Sequence, residues 1–296
     1  MSITSIGDPR PKVTTATLAE RKSKRQPITC LTAYDYATAR LVDEAGIDII
    51  LVGDSLAQVV LGYDSTLPVT VDEMLHHTRA VRRAVKRALL VADMPYGSYH
   101  TSPEDAVRNA ARFLKEAGAE AVKLEGGEKR IDHVRRLIDA EIPVMGHIGL
   151  TPQSVHAMGG YKVQGKTLSA VEQLMRDAVA LDQAGVFSIV LEGIPREVAA
   201  MITEEVSAPT IGIGAGPDCD GQVLVIHDMV GLTFNPPAKF VRRYADAGGA
   251  ISEAIEAFRR DVVEGTYPSD SESYHLPKDT GATLETIQQR KRMMSK

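Results

Sequence analysis

The sequence predicts an α/β protein built as a single closed (β/α)8 (TIM) barrel, with a short N-terminal helix before it and a polar C-terminal tail after it. Eight short apolar runs rich in Val and Ile begin near Ile28, Ile47, Ala88, Ala119, Pro143, Val186, Pro209 and Gln222, and such runs mark strands. Most gaps between them carry a helical pattern, and runs apolar on both faces imply a parallel sheet covered by helices. Eight such units in about 250 residues fit a closed barrel better than an open doubly wound sheet. Alternation alone does not count closure, so the open sheet remains the alternative. The expected organisation is a segment 1–27, a barrel 28–264 and a tail 265–296.

Taken in order, residues 14–26 are expected to form a short helix closing the barrel floor. Residues 70–87 (TVDEMLHHTRAVRRAVKR) place Val71, Met74, Leu75, Thr78, Val81 and Val85 on one face behind a Thr cap. SPEDAVRNAARFLKEAGAE enters with Ser-Pro, has an acid three residues after the Ser and ends at a Gly; TLSAVEQLMRDAVALDQAG repeats the Gly ending. Those are the signals of helix entry and exit. Two gaps are long, 54–69 and 150–167. Both follow strand C-termini, where a barrel builds its site, and loops of this length are usually lids. The seventh gap holds little more than PDCDG, too short for a helix. GIGAG at 212–216 lacks the full dinucleotide-binding pattern and is discounted. Residues 238–264 read as the last helical region.

Composition narrows the function classes. At 44% hydrophobic and 25% charged the chain is an ordinary globular protein. A net charge of −5 with interspersed signs argues against a nucleic-acid surface. No apolar stretch reaches the roughly 18 residues that span a bilayer, and the N-terminus lacks a signal-peptide core. Cys30 and Cys219 form neither a disulfide framework nor a metal cluster by spacing. The expectation is a cytoplasmic protein without membrane or nucleic-acid partners.

The chemistry lies in acids placed where hydrophobic runs end. IDIILVGDSLAQ drives an apolar strand into Asp54; ALLVADMP ends near Asp93, AVKLEGG near Glu125 and SIVLEGI near Glu192. Side chains alternate along a strand, so Ile50, Val52 and Asp54 are expected on one face. Val91 with Asp93, Lys123 with Glu125, and Val190 with Glu192 should likewise share faces. A parallel barrel gathers these C-terminal ends on one rim. Convergent carboxylates repel, and without a cation some would be protonated. An oxygen-rich set without a Cys/His cluster favours a hard ion, and Mg²⁺ needs one or two carboxylates with water or substrate oxygens. Asp54 and Asp93 are the expected direct ligands, with Glu125 direct or through water. Lys123 suits a substrate carboxylate.

The bland readings differ by residue. A single acid after a strand is often a helix N-cap; Asp93 before Met-Pro and Glu125 before Gly-Gly are poor caps, and four coincidences are improbable. His147 in PVMGHIGL could bond a neighbour or face the site. His76 and His77 sit on a surface helix, and the scattered methionines read as core filler.

Those residues lie within stretches that resemble the ketopantoate hydroxymethyltransferase family: LTAYDYATARLVDEAGIDIILVGDSL, VLGYDSTLPVTVDEM, VADMPYGSY, AVKLEGG, PVMGHIGLTPQ, GGYKVQGK, LEGIP and TIGIGAGPDCDGQVLV, spread over residues 31 to 225 in the family's order. Where the family usually has Gly after GDSL, this chain has Ala57 and Gln58. The resemblance implies hydroxymethyl transfer from 5,10-methylenetetrahydrofolate to the keto acid 3-methyl-2-oxobutanoate with Mg²⁺. It implies metal ligands at Asp54, Asp93 and Glu125, keto-acid contacts at Asp54, Ser55, Asp93 and Lys123, a proton acceptor at Glu192, and a homodecamer. His147 is a candidate substrate contact by its rim position. The rivals are an Mg²⁺-dependent lyase or mutase of the phosphoenolpyruvate/pyruvate barrel superfamily, whose isocitrate-lyase-like members carry a lid cysteine, and a non-catalytic keto-acid-binding barrel.

Overall fold

The computed structural model describes residues 10–234 and 236–294; the first nine residues of the expected N-terminal segment lie outside them. The chain divides into two compact units, 1–245 and 246–296. In the first, eight strands, β1 (Ile28–Thr32), β2 (Ile49–Val52), β3 (Leu89–Asp93), β4 (Ala121–Glu125), β5 (Val144–Gly149), β6 (Ser188–Glu192), β7 (Thr210–Ile213) and β8 (Gly221–Leu224), form a closed parallel barrel in sequence order. β8 closes on β1 with Ile28 opposite Gly221. A side chain at Gly221 would meet the Ile28 carbonyl oxygen at 2.5 Å, so the seam closes on a residue without Cβ.

Around the barrel run α1 (Thr15–Ser23), α2 (Tyr36–Glu44), α3 (Leu56–Val59), α4 (Val71–Arg82), α5 (Pro103–Ala117), α6 (Ile131–Asp139), α7 (Val155–Met158), α8 (Leu168–Ala184), α9 (Arg196–Glu205) and α10 (Ile226–Met229). α5 shows why. Ser102 accepts the Asp105 N–H, Pro103 takes the first turn, and Gly118 ends the helix at φ 71°, the left-handed position that favours glycine. Its Ala106, Ala110, Phe113 and Ala117 are buried, a one-face spacing. Burying a side chain the size of Phe113 contributes about 1.5–3 kcal/mol.

The core has two layers. Outward-facing strand residues such as Leu31, Ile50, Leu90, Val122 and Ile189 pack with the helices. Inward-facing Ile28, Cys30, Ile49, Val91, Met145, Val190 and Val223 fill the barrel with Val13 and Leu18. Leu18 is fully buried, so α1 plugs the floor as expected. Its basic residues dock there too: Arg21 pairs with Asp48 at 3.0 Å and Lys22 with Asp220 at 2.9 Å.

α4 stops at Arg82, short of the expected 87. The buried Asp43 carboxylate accepts the N–H groups of Lys86, Arg87 and Ala88, and these bonds hold the chain in a non-helical path. The seventh connection, 214–220, carries no helix, as its length required.

The second unit holds α11 (Ala247–Glu264) and α12 (Lys278–Met294) with a 3-10 turn at Asp270–Glu272. The expected helical region 238–264 is helical only from Ala247, where the Asp246 side chain caps the Gly249 N–H. The expected polar tail contains α12.

Candidate active site

The C-terminal ends of the strands surround a cavity of about 420 Å³, the size of a small-ligand pocket. Asp54, Ser55, Asp93, Lys123, Glu125, His147 and Glu192, the seven residues singled out in the sequence, all line it. Asp54, Asp93, Lys123, Glu125 and His147 are each 5% exposed or less.

β3 and β4 supply the centre. Register pairs Asp93 with Lys123, and the Lys123 ammonium donates to Asp93 Oδ1. Asp93 Oδ2 accepts the Asp54 N–H at 3.0 Å. Next to them Glu125 pairs in register with His147, and Gly149 with Glu192. The His147 ring lies between two carboxylates, Nδ1 3.5 Å from Glu125 Oε1 and Nε2 3.3 Å from Glu192 Oε2. Neither nitrogen is in hydrogen-bonding geometry. Ser55 Oγ lies 2.8 Å from the Tyr34 hydroxyl.

Asp54 reaches the mouth by a different route from the expected one. Ile50 and Val52 face the helices, whereas Ile49 and Leu51 face the barrel. Strand alternation would therefore turn Asp54 outward. β2 instead ends at Val52, and the chain turns at Gly53 and Asp54 into α3. A Cβ on Gly53 would stand 2.8 Å from Ser55 Oγ and 3.5 Å from Asp93 Oδ2, so glycine keeps this turn tight against the site. Asp93, Lys123, Glu125 and Glu192 do follow alternation.

Burial and mutual repulsion shape the charges. Asp54 is pushed up to about 7, chiefly by burial and then by the Asp93 charge. Burial and the Asp54 charge hold Glu125 well above the usual carboxylate range. Burial opposes the Lys123 charge, but Asp93, Asp54 and Glu125 more than reverse it, so the ammonium is held above its ordinary value. Four carboxylates around one lysine are undercompensated, the condition a cation relieves. Among the described residues no three His, Cys, Asp or Glu groups form a ready-made cage, because Asp93 is held by Lys123 and Asp54 by Gln153 Nε2 at 2.9 Å. An all-oxygen set in which Asp54 and Glu125 each have one carboxylate oxygen not engaged by Gln153 fits Mg²⁺, which retains waters and substrate oxygens, rather than Zn²⁺.

The two long loops both border the cavity, through Gln58, Val59 and Thr66 and through Leu150, Pro152 and Tyr161. Each carries a short helix, α3 in one and α7 in the other. Ala57 is buried in α3, and Gln58 Nε2 reaches Asp64 O at 3.2 Å across its own loop.

Sequence reasoning missed two sets of residues. One is a wall after β8, with Val225, Asp228, Pro237 and Phe240; a Cβ on Gly214 would stand 2.6 Å from the Phe240 ring, which shows how closely this wall abuts β7. The Pro-Pro pair, incompatible with a helix interior, was the available signal. The other is Gln153 with Tyr99, both buried against the acids, for which a lone polar residue in a loop gives no signal. The cysteines stand outside the two long loops: Cys30 is buried inside the barrel, its thiol pushed up by burial, and Cys219 lies in the β7–β8 connection, pushed up to about 11.

The sequence model of ketopantoate hydroxymethyltransferase matches residues 12–270. The 3-methyl-2-oxobutanoate hydroxymethyltransferase of Koribacter versatilis is 73% identical over 296 residues, covering 100% of both chains. That of Syntrophomonas wolfei is 56% identical over 268 residues, 90% of this chain and 97% of its own. Among solved structures, a phosphonopyruvate hydrolase bound to oxalate and Mg²⁺ superposes with a TM-score of 0.57 at 14% identity, covering 96% of this chain and 97% of that one. A 2,3-dimethylmalate lyase gives 0.56 at 16%, covering 96% and 99%. These structures share the fold; the sequence matches show that the chain belongs to the ketopantoate hydroxymethyltransferase family.

Proposed function

We propose that Asp54, Asp93 and Glu125 hold Mg²⁺, that Ser55, Lys123 and His147 seat the keto acid, and that Glu192 takes its proton. The activity is that of the family: transfer of a hydroxymethyl group to 3-methyl-2-oxobutanoate, giving 2-dehydropantoate on the route to pantothenate, with 5,10-methylenetetrahydrofolate as the one-carbon donor. The observation that carries the division of roles is the placement of Asp54, Asp93, Lys123 and Glu125 on adjacent strand ends, with Glu192 on β6, two strands beyond β4.

When bound, Mg²⁺ would supply Lewis-acid stabilisation of the charge that develops on the keto oxygen, a contribution of several kcal/mol. The Lys123 ammonium offsets the substrate carboxylate. His147, with both ring nitrogens unpaired, has hydrogen-bonding capacity for a bound oxygen. Glu192, less buried than the other acids with a side chain 17% exposed, abstracts the proton from the branched carbon. That carbon then bonds to the one-carbon unit; the bonds from that unit to the two folate nitrogens break, one water supplies the hydroxyl oxygen, and tetrahydrofolate leaves. The apolar wall of Val59, Pro237 and Phe240 suits the flat ring system of a folate, and closed loops would keep out bulk solvent while admitting the one water the transfer consumes. Neither cysteine is placed to act as a lid nucleophile, which counts against an isocitrate-lyase-like reaction.

We further infer a homo-oligomer, a decamer by family resemblance, in the cytoplasm. No described helix is long and apolar enough to cross a membrane. α11 carries exposed Ile251, Ile255, Phe258 and Val262, a heptad-like stripe suited to a partner helix.

The test is turnover of purified protein with 3-methyl-2-oxobutanoate and 5,10-methylenetetrahydrofolate. Product formation should require both substrates and vanish when a chelator removes the metal. Turnover at the parent rate in chelator would overturn the Mg²⁺ assignment.

A further inference from the structure

We infer that Gln153 is a positioning residue that fixes the two metal-ligand carboxylates Asp54 and Glu125 and ties the 150–167 lid to them. The inference rests on the metal reading above.

Gln153 lies in the 3-10 turn Pro152–Ser154 that opens the lid and is 5% exposed. Its backbone N–H donates to Glu125 Oε2 at 3.0 Å. Its side-chain amide donates through Nε2 to Asp54 Oδ2 at 2.9 Å and to the Met94 carbonyl at 3.0 Å. Its Oε1 accepts from the Tyr99 hydroxyl at 2.7 Å. The Tyr99 oxygen in turn accepts the Glu125 N–H at 3.2 Å.

This arrangement admits one amide orientation. Tyr99 has a single proton and already accepts from Glu125, so it donates to Gln153, which must present oxygen there. Two acceptors, a carboxylate and a carbonyl, face the other end, which must present the NH₂. Both amide protons are used. A glutamate would place a further carboxylate oxygen against Asp54 Oδ2, and a leucine of similar length would strand Asp54, Met94 O and Tyr99 without partners.

One residue therefore takes one oxygen from each of two carboxylates and leaves Asp54 Oδ1 and Glu125 Oε1 for other partners. Hydrogen bonds that orient ligating carboxylates commonly change metal affinity 10- to 100-fold when lost. Because the same residue begins the lid, the position of the lid and the aim of the ligands share one network.

The experiment measures Mg²⁺ binding to substrate-free protein by calorimetry, for the parent, Gln153→Leu, Tyr99→Phe and Asp93→Ala, with circular dichroism to confirm folding. The inference expects Gln153→Leu to weaken Mg²⁺ about 10- to 100-fold and Tyr99→Phe, which removes the buttress of the amide together with the acceptor of the Glu125 N–H, to weaken it about 3-fold or more by the same loss of ligand orientation. A folded Gln153→Leu protein that binds Mg²⁺ as the parent does overturns the inference. If Gln153→Leu does not fold, Tyr99→Phe decides: parent-like affinity overturns it. Failure of the metal reading looks different, since Mg²⁺ binding would then be absent from the parent or survive Asp93→Ala unchanged.

Discussion

Asp93 gives one carboxylate oxygen to Lys123 and the other to the Asp54 N–H. Replacing it with alanine removes a charge from a crowded acid cluster and little packing, so Asp93→Ala and Asp54→Ala should each keep the fold and lose metal-dependent turnover. Wild-type-like activity in either variant at ordinary Mg²⁺ would contradict the ligand assignment. A second residue makes a pH prediction. His100 stacks near Tyr96 and Tyr99, with ring centroids 4.6 and 4.2 Å away, and its imidazole is lowered to about 4 by burial and then by Arg130. The folded state binds that proton more weakly than the unfolded chain. The stability it contributes is present above the ordinary value of 6.5 and falls as pH drops from there toward 4. Between pH 7 and 5 the parent should lose more thermal stability than His100→Gln, as melting curves at each pH would show; equal losses would refute it. Asp93, Lys123 and Glu125 were legible in the sequence because a period of two places them inward at strand ends. Asp54 reached the predicted place by a turn that alternation does not describe. Gln153 was illegible because its partners come from three other strand ends, and nothing local in TPQS announces them.

The elements divide along the same line. α5, with its Ser-Pro entry and Gly exit, is written in local chemistry, and so is the Thr70 cap of α4. The end of α4 is not, because Asp43, more than 40 residues away, takes the N–H groups of 86–88. That loops 54–69 and 150–167 border the site was legible from their length and their place after β2 and β5. Their short helices α3 and α7, a single turn each, are below the length at which periodicity speaks. Gly159, Gly160 and Gly165 all adopt positive φ, a region that favours glycine, so the second loop has hinges at hand. Amide exchange in both loops should slow when keto acid and Mg²⁺ are added. Unchanged exchange in both would count against a closing role.

At the scale of the whole molecule, eight strand–helix units predicted closure, and the β1–β8 pairing delivers it. The sequence could not divide the chain at 245, since the exposed apolar stripe of α11 reads locally as one more barrel helix. Ile255→Glu should lower the mass measured by light scattering; an unchanged mass would mean that this stripe is not an assembly surface. Closure also sets the chemistry, since it brings Glu192 on β6 to the mouth that β2, β3 and β4 line with Asp54, Asp93 and Glu125. A keto acid held on those three strands would present its branched carbon toward Glu192. Glu192→Gln preserves shape and removes the base. Exchange of the substrate C3 proton with solvent deuterium, followed by NMR, measures that step alone. It should fall by about 10² to 10⁴, the usual worth of a positioned base, while Mg²⁺ and keto-acid affinities survive. Loss of Mg²⁺ affinity with proton exchange intact would contradict it and make Glu192 a ligand instead of a base.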